Sequence, residues 1–221
     1  MKSKRVYLNF IILLIFSGCA SFKGNKLPPI ASMPQMSPDK KKYSVFLDVN
    51  FYTQSRDPHS SPIENIPGKI ELLDIVELVT DEANLFSSFT LDKVKNRQTD
   101  YTIKMDMLNY GDFKAAGCLG MISGLTLTII PAAVTDYYRL TAKVIDSNGK
   151  EIKTYILEDH ITTVIQTFML FVYPFKSPSR VSKEFMSNMV KTLYKEIIQD
   201  NILTNKTTLS SYLDIPLRTK Q

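Results

Sequence analysis

The residues whose types and spacing promise chemistry stand near the start of the chain, at Phe16-Ser17-Gly18-Cys19-Ala20. Small residues at 17 and 18 fit a peptidase cleft, and the cysteine would then follow the cut. The preceding residues support that reading. Lys2, Lys4 and Arg5 form a basic head, and the run from Val6 to Phe16 is almost wholly apolar. That is the layout of a secretory signal peptide. The run is shorter than the roughly 20 residues a helix needs to span a bilayer permanently.

With those residues in view, the stretch resembles the lipobox of bacterial lipoproteins: an aliphatic residue, two small residues and a cysteine. Phe16 replaces the usual leucine. The resemblance implies that Cys19 becomes the mature first residue, carrying a thioether-linked diacylglyceride and an amide-linked acyl chain. Two or more chains hold a protein firmly, whereas one binds marginally. Ala20 and Ser21 are not acidic, which by the same resemblance implies sorting to the outer membrane of a bacterial envelope.

Other reactive residues give weaker patterns. Cys118 has no partner once Cys19 is acylated, and among Ala, Gly and Leu it reads as a buried thiol. His59 and His160 are far apart and belong to no cluster with metal-ligand spacing. Gly120-Met121-Ile122-Ser123-Gly124 places its serine one position late for a nucleophile elbow. Asp159-His160 has no nucleophile beside it in sequence and reads as a polar pair at a strand end. No phosphate-binding glycine motif occurs, and the chain lacks tryptophan. The expectation is therefore no catalytic residue, no metal and no cofactor beyond the lipid on Cys19.

The formal charge of +5 overstates how basic the mature chain is. Removing Lys2, Lys4 and Arg5 leaves 24 basic against 22 acidic residues, a net charge of +2. A nucleic-acid partner is not implied. The expected partners are the membrane, through acylated Cys19, and an envelope protein or further copies of the chain.

The elements that must position these residues begin late. Residues 1–18 are the expected signal peptide. Residues 19–42 hold four of the eleven prolines without an apolar period, and read as a lipidated, disordered tether. A single domain is expected over 43–203, followed by a polar tail over 204–221. Tyr43, Val45, Leu47, Val49 and Phe51 alternate with polar residues, as in a strand with one buried face. Residues 54–68 read as a Pro-rich loop. Leu72, Val76, Val79, Ala83 and Phe86 follow at helical spacing, with Glu71, Asp74, Glu77 and Asp81 on the other side. A short strand over 86–91 and another through Tyr101, Ile103, Met105 and Met107 come next.

Residues 138–146 and 151–158 flank Asn148-Gly149, a hairpin signal. Val181, Phe185, Met189, Leu193 and Ile197 then repeat every four residues across 178–203, with Ser177-Pro178 as cap and first position. The order implies an α+β domain, a mostly antiparallel sheet with two amphipathic helices packed on one face. In element order, residues 43–203 resemble the periplasmic modules of the TolB amino-terminal, curli-secretion and penicillin-binding-protein-activator lipoproteins. That resemblance carries no site residues.

Two uncharged segments stand apart, 115–135 and 161–175. Gly117, Gly120, Gly124 and Pro131 weaken a helix in the first. Gly120 and Gly124 have the spacing that lets helices approach closely in lipid. The segments read as central structure covered within the domain, or as a surface for membrane or oligomer contact. In the second case Gly120, Gly124, Leu127, Ile129, Phe168 and Phe171 would carry it. The sequence thus points to a lipid-anchored, non-catalytic envelope protein that binds another envelope component. The alternative is a membrane-inserting or oligomer-forming subunit of an export or envelope assembly.

Overall fold

Alternating apolar residues build a sheet with one sealed face. The computed structural model describes residues 18–33, 41–57, 59–93, 99–111, 121 and 131–203. Its strands are β1 (Gly18–Lys23), β2 (Ser44–Ser55), β3 (Ile63–Glu64), β4 (Ser88–Thr90), β5 (Tyr101–Gly111), β6 (Ala132–Asp146) and β7 (Glu151–Gln166). Its helices are α1 (Ile66–Ala83), α2 (Tyr173–Lys176) and α3 (Pro178–Gln199), with a 3-10 turn over Thr167–Phe171. The sheet order is β1-β7-β6-β5-β2-β3, and β4 also pairs with β2.

Antiparallel pairing predominates, but β2 runs parallel to β4 and to β5, so the sheet is mixed. The cause is α1. A helix between two strands returns the chain to its starting end, so the next strand enters in the same direction.

Val45, Leu47, Val49 and Phe51 of β2 join Tyr101, Ile103, Met105 and Met107 of β5 on the inner face, with Leu140, Ala142 and Val144 of β6. Leu72, Val76 and Val79 of α1 and Val181, Phe185, Met189, Leu193 and Ile197 of α3 close the same core. Tyr194 lies wholly buried between the helices. Its hydroxyl shares a 2.6 Å hydrogen bond with Thr80 Oγ1, and its ring meets Phe86 edge-on at 5.7 Å. Burial pushes its pKa up.

Local signals fix the element ends. Asn65 Oδ1 accepts from Gly68 N at 2.9 Å and caps α1, so the helix begins inside the stretch read as loop. Ser177 stands at the cap position of α3, but its side chain makes no capping bond. In the β6–β7 hairpin Gly149 takes φ +80°, and Asp146 Oδ1 accepts from Asn148 N and Lys150 N.

The largest departure from the sequence reading is in the stretch expected to be a disordered tether. Gly18–Lys23 forms edge strand β1, paired antiparallel with β7 from Gly18↔Gln166 to Lys23↔Ile161. Residues 24–33 then cross the domain. Leu27 N donates to Asp159 Oδ2 (3.2 Å) and Ile30 N to Asn188 Oδ1 (2.8 Å), while Leu27 and Met33 pack on the core. A proline-containing stretch without an apolar period gives no helix signal, but an irregular strap needs only anchoring bonds and a few apolar contacts.

Candidate functional site: the Cys19 edge and the open sheet face

Cys19 is half-buried at the head of β1, opposite Ile165. Strand pairing puts its backbone about 5 Å from that of Ile165. The strand is tied down along its length. Ser21 Oγ and Thr163 Oγ1 share a 2.7 Å hydrogen bond, and Lys23 Nζ lies 3.4 Å from Glu184 Oε2 of α3. Arg180 also donates to Glu184, at 3.0 Å; these two cations, Arg180 foremost, hold the Glu184 carboxyl below its ordinary pKa. Gly24 is required where β1 leaves the sheet, because a Cβ there would collide with the His160 ring.

The segment beyond β7 faces outward. Phe168 is 70 % exposed, Phe171 77 %, Tyr173 48 % and Phe175 71 %. Both the 3-10 turn and α2 pack beside β1, at the end where Cys19 sits. Of the residues singled out for membrane or oligomer contact, Phe168 and Phe171 are therefore surface groups near Cys19. Gly120, Gly124, Leu127 and Ile129 lie outside the described residues, as does Cys118.

A second cluster crosses the outer face of β5, β6 and β7. Tyr110 and Tyr137 stack at 5.6 Å with an interplanar angle of 21°, and Tyr137 meets the His160 ring at 5.8 Å. Arg56 lies 4.9 Å above Tyr137 and Arg139 5.8 Å above Tyr110. Arg139 Nε donates to Glu158 Oε1 at 2.6 Å, which raises the arginine pKa. The sequence did not reveal this row, because its members are 27 and 23 positions apart and meet only through register. The available signal was the strand alternation itself, which puts Tyr110, Tyr137, Arg139 and His160 on the face opposite the buried residues.

Asp159 and His160 are not at a strand end, as their sequence suggested, but inside β7 on opposite faces. Asp159 is buried, 5 % exposed, and holds the strap through Leu27 N. His160 Nδ1 is buried 3.6 Å from Asp159 Oδ1, without a hydrogen-bond partner. Among the described residues no three His, Cys, Asp or Glu side chains converge to hold a metal ion. Nor is any described helix long and apolar enough to cross a membrane.

Neither a protein-family model nor a curated protein matches the chain. Among solved structures it is similar to a PelC dodecamer from Paraburkholderia phytofirmans, at 10 % identity and a TM-score of 0.27. That alignment covers 79 % of this chain and 96 % of the other. At so low a score the likeness carries no argument.

Proposed function

We propose that the protein is a lipid-anchored, non-catalytic component of a bacterial envelope, held to the outer membrane through acylated Cys19, whose domain binds another envelope component. The observation that carries this reading is the place of Cys19 at the head of an edge strand, directly behind a signal-peptide pattern. Cleavage before Cys19 removes only Gly18 from β1 and leaves five paired residues. The acylated terminus is then part of the sheet edge, and the domain rides on the leaflet without a long tether. Because β1 is hydrogen-bonded in the folded domain, lipidation and cleavage must precede its docking on β7.

The outer sheet face, with its Tyr110–Tyr137–His160 row, is the surface offered to the partner. Aromatic rings flanked by arginine supply contact area at low entropic cost. Metabolic labelling with palmitate tests the anchor. The parent chain is expected to label and fractionate with membranes, and Cys19→Ala to remain an unlabelled, uncleaved precursor. Normal labelling of Cys19→Ala would refute the assignment.

A further inference from the structure

The lipid-anchored reading says how the chain is tethered but not how it sits on the leaflet. The exposed aromatic residues bear on that. From Thr167 to Lys176 the backbone is helical almost throughout, with Val172 in the αR region linking the 3-10 turn to α2. Phe168, Phe171 and Phe175 follow at spacings of three and four, which brings them to one side. Tyr173 and the exposed Lys176 flank them. Phe22, 38 % exposed, projects from the anchor strand itself.

We propose that residues 168–175 form an interfacial foot, whose phenylalanines enter the headgroup–acyl boundary of the leaflet that holds acylated Cys19. The proposal rests on the lipid-anchored reading and adds the orientation of the domain. Three observations favour a bilayer over a second copy of the chain. The Gly18↔Gln166 pairing sets the foot immediately beside the anchor position, so acylation leaves little slack between it and the headgroups. The four aromatic side chains expose about 500 Å² together, whereas a stable dimer buries about 800 Å² on each partner. The segment also borders its phenylalanines with Tyr173 and Lys176, side-chain types that settle at the headgroup level.

The chain contains no tryptophan, so a single introduced one reports its own surroundings without background. Full-length Phe171→Trp, Phe175→Trp and Ile156→Trp would each be purified from bacterial membranes. They would be reconstituted into phosphatidylethanolamine–phosphatidylglycerol vesicles, with and without lipids brominated high on the acyl chain. Ile156 is 62 % exposed on the outer sheet face and serves as the control. Tryptophan at 171 and at 175 is expected to emit to the blue and to lose intensity several-fold in brominated lipid, with 156 unchanged. Water-like, unquenched emission at both foot positions would overturn the proposal. So would a blue shift without quenching, which would mean that protein covers the foot. The mass of the amino-terminal peptide, read on the same samples, separates the two ideas. Quenching without acylation would sink the anchor and support the foot; acylation without quenching would do the reverse.

Discussion

Helix α3 and the segment 167–176 are neighbours in sequence and both carry large apolar side chains, the segment more densely, yet they end up on opposite sides of the solvent boundary. In α3, Lys183, Glu184, Lys191 and Lys195 interrupt the apolar residues at helical spacing. One stripe therefore faces the sheet and buries Val181, Phe185, Met189, Leu193 and Ile197. Residues 167–175 carry no charge, so no polar face tells the segment which side belongs in water. It caps a sheet edge whose inner face α3 already covers, and its rings are left outward. Hydrophobicity alone thus does not mark core. The interleaved polar residues do.

The contrast breaks most visibly by truncation. Phe185, 2 % exposed and with its ring 5.0 Å from Tyr138, is expected to cost about 3–5 kcal/mol when replaced by alanine. Phe171→Ser should change stability by less than about 0.5 kcal/mol. Urea midpoints of the two variants compare them, and equal losses would make Phe171 a core residue.

A smaller effect is expected from Asp159→Ala, which leaves Leu27 N without its acceptor at a cost of about 1–3 kcal/mol. Faster hydrogen exchange at Leu27 and Ile30, with α3 still protected, would place that loss in the strap. Unchanged exchange there would mean that the strap is held by its apolar contacts instead.

The smallest effect concerns pH. Glu184 has its folded pKa below the ordinary value of 4.5, chiefly through Arg180 and further through Lys23. The stability it contributes is present above the unfolded pKa and is lost as pH falls through the folded one. The pair is largely exposed, so that contribution stays below about 1 kcal/mol. Glu184→Gln should flatten the acid limb of the stability profile below about pH 4.5. An unaltered limb would mean that Glu184 is not holding β1.

The core was legible because it follows two periods. Tyr101, Ile103, Met105 and Met107 alternate, Val181 to Ile197 repeat by four, and every one of these residues is buried. Asn148-Gly149 likewise gave the hairpin, though the strands run further than their patterns, to Ala132 and Gln166. The parallel β2–β5 pair was less accessible, since strand patterns carry no direction. The strap was illegible for a different reason. Its bonds to Asp159 and Asn188 span 132 and 158 positions, and backbone amides leave no trace in side-chain pattern. Cys19 was singled out from its flanks, whereas its place at the sheet edge depends on pairing with residues 161–166.

The most direct test of the anchor is the mass of the amino-terminal peptide of the full chain after expression in a bacterial envelope. The prediction is a peptide beginning at Cys19 and carrying a diacylglyceryl thioether and an amide-linked acyl group. A mature chain that begins elsewhere, or a Cys19 bearing a free thiol, would contradict it.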